Sequence, residues 1–172
     1  MTKTQWIAAS LMLLLLATGA ALRWLQPEPV NRILSCRNEL YDNRDALSDK
    51  YYMQADFVLQ PDARIYYRYF TRAGEPVGHI AMTGKVLSSG GEPQVYRIAI
   101  DKRKVKLEDE SLPPPEHLKY LAYTSGMRIS EQGSHNLSIT LLEVDEQKSY
   151  AAVYFTPANA VCSCSMASNV QF

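Results

Sequence analysis

The sequence predicts a single N-terminal transmembrane helix followed by a mainly β, exported domain of α+β class. Two observations support this prediction. One long apolar run lies near the N-terminus, and from Tyr51 onward apolar and polar residues alternate with a period of two. Prolines, glycines and aspartates separate the alternating segments at short intervals, which is typical of an antiparallel meander.

The apolar run covers residues 6–25, which would form about 30 Å of helix, close to the thickness of a bilayer's hydrocarbon core. Trp6 and Trp24 stand at its two ends, where indole rings favour the membrane interface. We therefore expect a short cytoplasmic tail (1–5), a signal anchor (6–25) and an exported remainder. The alternative is a cleaved signal peptide, because Lys3 and the small residues at 17–21 fit a leader and its cleavage site. N-terminal sequencing of the mature protein separates the two.

Residues 26–50 are expected to form a membrane-proximal spacer and arm. Pro27 and Pro29 predict a short stiff spacer, and residues 31–50 fit a helical stripe only loosely. We expect a short helix or an irregular arm there, and the β domain is expected to occupy residues 51–172.

Seven segments of the β domain have strand character, so that the expected total is seven to eight strands with one or two short helices. Three prolines at 113–115 interrupt the meander, and residues 116–123 are expected to form one or two helical turns. Such short sequential strands predict a strongly curled sheet or a small antiparallel barrel. The predicted strands are 51–60, 63–72, 77–89, 94–101, 102–110, 135–144 and 149–157.

Composition and motifs argue against catalysis and against nucleic-acid binding. The 18 basic and 18 acidic residues give a formal net charge of zero, so no electrostatic attraction to nucleic acid is expected. The chain has no nucleophile elbow, no zinc-protease helix motif and no phosphate-binding glycine loop. We expect a protein that is not an enzyme and that has no cofactor or metal site.

Four tyrosines and one histidine are the candidate binding and sensing residues. Tyr52, Tyr66, Tyr67 and Tyr69 could line a partner surface or the mouth of a barrel that holds a small apolar ligand, but packing of the core and of the sheet's outer face is favoured. His79 lies on a predicted strand and is the candidate pH-sensing group, beside the simpler reading of an ordinary sheet residue.

The three cysteines predict a disulfide once the domain is placed in an oxidising compartment. Cys162 and Cys164 lie too close along a strand for good sulfur–sulfur geometry. Cys36 paired with either of them closes a loop of about 127 residues, worth about 5 kcal/mol by chain entropy. One cysteine is then left over, free or available to a partner chain.

The layout of membrane helix, early cysteine and strand-rich domain, with "YYRYFTRAGEPVGHIAMTGKV" and then "VYRIAID", resembles the FidL-like proteins and the related PsaF and MyfF accessory proteins of enterobacteria. The resemblance implies a single-pass protein of the bacterial inner membrane with a periplasmic C-terminal domain. It also implies a ToxS-like role, in which the domain pairs with a bitopic ToxR-type transcription regulator and supports fimbrial or virulence gene expression. In related pairs the two periplasmic domains build a lipocalin-like barrel.

Overall fold

The computed structural model describes residues 31–40, 51–108 and 113–167, together with Met12 and Thr18. The expected tail, membrane helix and spacer (1–30) otherwise lie outside the described residues. Within the described ranges no helix is long and apolar enough to cross a membrane.

The described residues between 31 and 167 form a closed barrel of eight antiparallel strands, with one helix between the fifth and sixth strands. Each strand pairs with its neighbours in sequence, and the first strand pairs with the last. The expectation of a mainly β domain with a small antiparallel barrel is therefore confirmed. The elements are β1 (Arg32–Glu39), β2 (Tyr51–Leu59), β3 (Asp62–Thr71), β4 (Pro76–Gly90), β5 (Gln94–Leu107), α1 (Glu116–Gln132), β6 (His135–Asp145), β7 (Tyr150–Thr156) and β8 (Ala160–Ala167).

The period-two pattern of each strand separates a buried inner face from an outer face. On β3, for example, Ile65, Tyr67 and Tyr69 point inward and are almost fully buried, whereas Arg64 and Arg68 are exposed. Aromatic rings fill the middle of the interior: the Phe57 and Phe155 ring centroids are 5.3 Å apart. The core is thus a packed layer of side chains contributed by every strand.

The barrel closes through two strands that the sequence analysis did not assign. Residues 32–39, expected as a short helix or an irregular arm, form β1, and the Cys-x-Cys segment belongs to β8. The β domain therefore begins near residue 32 and not at residue 51. In addition, the segments expected as separate strands at 94–101 and 102–110 form one strand, β5.

A bulge, a close backbone approach and a glycine turn shape the long β4–β5 hairpin. The register shifts at Thr83/Gly84, so that one extra residue of β5 is accommodated there. A Cβ atom on Gly84 would lie 2.1 Å from the backbone oxygen of Ala99, so only glycine allows this approach of the two strands. The hairpin turn uses Gly90 and Gly91 at positive φ.

Helix α1 is longer than expected, with 17 residues instead of one or two turns. It follows Pro115 and ends at Gly133, which has a φ of 73° and donates its backbone N–H to the Ile129 carbonyl. Leu118 and Leu121 join the core cluster, and the helix packs against β4, β5 and β6.

Candidate binding surfaces

The four candidate tyrosines do not form one site, because adjacent residues of a strand face opposite sides of the barrel. Tyr67 and Tyr69 lie inside and are at most 1% exposed. Burial raises the pKa of both phenols well above the ordinary value, so they stay protonated and serve as packing groups. The Tyr69 hydroxyl lies 3.0 Å from Nδ1 of His117 on α1.

Tyr52 and Tyr66 lie on the outer face of the barrel. The Tyr52 ring stacks on Phe70, with centroids 5.1 Å apart and planes 16° apart. The Arg37 guanidinium lies 4.1 Å from the Tyr52 ring centroid, within the range of a cation–π contact. This three-layer stack joins β1, β2 and β3 and is accessible from outside.

A buried carboxylate holds the same three strands together beside this stack. Asp56 is only 9% exposed although it points outward, because its neighbours cover it. It accepts hydrogen bonds from Ser35 (2.6 Å) and Gln54 (3.3 Å) and pairs with Arg68. With these donors satisfied inside the chain, the cluster serves as a structural link between strands.

The cysteines form one disulfide and leave one buried thiol. Cys36 of β1 and Cys164 of β8 are directly paired across the closing seam, and their sulfurs are bonded. The expected disulfide is thereby confirmed, with Cys164 as the partner of Cys36. Cys162 is free and 4% exposed, and burial raises its thiol pKa, which disfavours the reactive thiolate. Among the described residues no group of three or more potential ligands could hold a metal ion.

His79 lies on the outer face of β4, where its Nδ1 is 3.3 Å from Glu108. Lys106 approaches the other oxygen of Glu108 at 2.7 Å, and this hydrogen bond lowers the pKa of the Glu108 carboxyl. The structure therefore places the candidate pH-sensing residue in a surface ion-pair cluster.

Two other histidines lie at the ends of α1, His117 partly buried and His135 fully buried. His117, in the first turn, has its pKa lowered to about 4 by burial. His135 follows the helix and is 0% exposed, and neither of its ring nitrogens has a hydrogen-bond partner within the described chain. Burial, with a smaller contribution from the charge of Arg128, lowers its pKa too. The sequence gives no signal for their burial, because it depends on the packing of α1 onto the barrel.

The outward face of α1 carries three exposed apolar side chains at positions i, i+3 and i+7. Tyr120, Tyr123 and Met127 are 51%, 69% and 40% exposed, and they lie opposite the buried Leu118 and Leu121. We call these three residues the α1 stripe. The sequence does not predict this stripe, because the helix expected from it ends at Tyr123 and excludes Met127.

The described residues thus combine a filled interior with several accessible outer surfaces. Comparison with protein-family models, with curated proteins and with solved structures finds no match to the chain.

Proposed function

We propose that the chain is a membrane-anchored periplasmic accessory protein that binds and stabilises a ToxR-type, membrane-bound transcription activator. In this role it supports the expression of fimbrial or virulence genes without contacting DNA. The resemblance in sequence suggests the partner, and the α1 stripe is the observation that carries the proposal of a binding function.

The α1 stripe fits a protein interface because of both its composition and its position. Tyrosine and methionine are enriched at protein interfaces, where they supply large contact areas. An amphipathic surface helix normally presents polar residues to water, yet α1 is apolar on two opposite faces. The second apolar face contributes nothing to the barrel core, so its burial by a partner would be a net gain.

The occupant that we propose is the exported domain of the activator, presenting an apolar groove with basic groups near its rim. Glu116 and Glu131 lie at the two ends of the stripe and are exposed, so basic groups on the partner would complement them. Glu116 is paired with Lys119 at 2.6 Å, so the end of the stripe at Glu131 carries the more negative charge.

The filled interior favours this role over the alternative of a carrier for a small apolar ligand. Phe57, Tyr67, Tyr69 and Phe155 occupy the volume that such a ligand would need. A carrier would have to displace fully buried aromatic side chains, each of which contributes about 3 kcal/mol or more to the core.

Stabilisation follows from mass action. A protein that binds only the folded activator lowers the unfolded population that proteases attack, by about 2.7 kcal/mol at a free concentration of one hundred times the Kd. The activator's half-life is therefore the direct readout.

The test compares activator half-lives, after translation is blocked, in cells with the wild-type chain, without it, and with stripe variants. Tyr120→Ser combined with Tyr123→Ser and Met127→Ser should shorten the half-life toward that of the deletion. Leu142→Ser is the matched control, since Leu142 has the same 51% exposure as Tyr120 but lies on β6. Equal half-lives with and without the chain would refute the function. If the activator keeps its wild-type half-life with the triple variant, the α1 stripe is not the binding surface, but the proposed function still stands.

A further inference from the structure

The outer face of β3, β4 and β5 carries the densest group of basic side chains in the described barrel. Strand register aligns them in rows, since Arg64 and Lys102 flank Thr83, and Arg68 and Lys106 flank His79. Between these rows, Tyr66 and Lys104 flank Ala81. We call this the basic face, and its members are Arg64, Arg68, Lys85, Arg97, Lys102, Lys104 and Lys106.

Most of this charge is not neutralised within the described chain. Among the described residues, the only members of the face with ion-pair partners are Arg68, which pairs with Asp56, and Lys106, which pairs with Glu108. The other carboxylates on or beside the face are Asp62, Asp101 and Glu92, and Glu92 lines the same surface depression as Arg97. Seven basic and five acidic residues leave a local net charge of +2.

The charge is concentrated on one side of the barrel. The whole chain has equal numbers of basic and acidic residues, yet β7 and β8 contain no charged residue at all. A positive face on a molecule of zero formal net charge attracts an anionic surface and orients the molecule toward it.

An exposed apolar residue extends the basic face at the end where the chain enters the barrel. Leu87 is the extra residue in a bulge of β4 next to the Ser88–Arg97 pair, and it is 65% exposed. The entry point is close, because Arg32 pairs with Leu59 and the nearby Pro61 carbonyl accepts the N–H of Val86 at 3.1 Å.

The length of the preceding chain brings this end of the barrel to the membrane surface. Only six residues separate the predicted anchor (6–25) from Arg32, and they span at most about 20 Å. Basic side chains with an adjacent apolar side chain are the combination that binds anionic bilayers.

We propose that the basic face docks on anionic lipid headgroups, with Leu87 inserted into the interface, so that the barrel lies against the membrane. This inference rests on the anchor of the proposed function. Each lysine near an anionic surface strengthens binding by about a factor of five, so the face as a whole would select phosphatidylglycerol over a zwitterionic lipid.

The test uses the full chain reconstituted in nanodiscs of phosphatidylcholine, with and without about one third phosphatidylglycerol. Lysines are acetylated under limiting reagent and read by mass spectrometry. Lys119 is the matched control for Lys106, because both form one short ion pair and have similar side-chain exposure, 47% and 55%. We expect labelling of Lys102, Lys104 and Lys106 to fall about fivefold in the anionic discs and to recover in about 0.5 M salt, while Lys119 stays unchanged.

Variants locate the contact on the face. Lys102→Glu combined with Lys104→Glu should restore the labelling of Lys106 and Lys85 in anionic discs, and Leu87→Ser should restore part of it. The Cys36–Cys164 disulfide, checked by peptide mapping, reports that each variant has folded.

Several results would overturn the inference. If the lysines of the basic face are labelled equally in both disc types while the chain is inserted in the disc, docking on lipid is refuted and the membrane anchor is supported. Protection that appears only when the activator is co-reconstituted reassigns the face to an acidic protein. If the chain elutes separately from the nanodiscs in size-exclusion chromatography, the anchor is refuted. Docking is then tested alone, by sedimenting the chain with phosphatidylglycerol vesicles. Failure to co-sediment at low salt refutes the docking as well.

Discussion

The disulfide at the closing seam makes the most quantitative prediction. Replacing both Cys36 and Cys164 by alanine removes a crosslink between residues 128 positions apart. The chain-entropy relation gives about 5 kcal/mol for a loop of that length, and the two lost sulfurs add about 1 kcal/mol each through poorer packing. A domain of this size has a total stability of about 5–15 kcal/mol, so we expect the double variant to be close to unfolding.

The assay is guanidinium unfolding of the intact chain in mild detergent, followed by far-UV circular dichroism. Tryptophan fluorescence would not report on the barrel, since both tryptophans (Trp6 and Trp24) precede it. Cys162→Ala is the matched control, because it removes a buried sulfur from the same face of β8 without breaking a crosslink. A difference of less than about 2 kcal/mol between the free energies of unfolding of the double variant and of this control would contradict the prediction. In that case the five paired positions between β1 and β8 hold the seam without the disulfide, and the entropy argument fails.

Two further predictions concern α1 and the β4–β5 hairpin. The pKa of His117 is about 4 in the folded protein and 6.5 unfolded, so the unfolded state binds more protons between these values. Stability should therefore decrease by up to about 3 kcal/mol as the pH falls from 6.5 to 4, and denaturant midpoints for the wild type and His117→Phe check it. Gly84→Ala should cost several times more stability than Gly126→Ala, measured by thermal unfolding. A Cβ added at Gly84 would meet the rigid backbone of Ala99 and Ile100. A Cβ added at Gly126 would meet the Arg103 guanidinium, which can move, and alanine has a helix propensity up to about 1 kcal/mol more favourable than glycine. Equal melting temperatures for the two variants would contradict this.

The sequence was sufficient to predict the central strands and insufficient to predict the two that close the barrel. From β2 to β7 the strand signal is strong, because inner-face residues such as Phe57 and Ile65 alternate with polar ones. In β1 and β8 the inner face is built partly from cysteines, with Ile33 also buried on the other side, so the alternation is weak. The disulfide was therefore easier to foresee than the strands that carry it.

The binding surfaces were harder to predict, because exposure is a property of packing. The Tyr67 and Tyr69 pair looked as suitable for a site as Tyr52 and Tyr66, and only strand orientation separates them. Helix α1 was underestimated because Ser125 and Gly126 weaken its apolar periodicity, although Ser125 is buried and bonds its hydroxyl back to the Leu121 carbonyl.

Internal closure of the barrel bears on how a partner can bind. Because β1 pairs with β8 of the same chain, the domain can fold without a strand from another protein. Open strand edges remain on the part of β5 beyond Ile100, which is not paired with β6, and on the part of β4 beyond Lys85, which is not paired with β3. The first stretch is rich in lysine, a residue that discourages edge-to-edge pairing, and the second contains a bulge, which has the same effect. Side-chain docking on the α1 stripe is therefore the more economical mode.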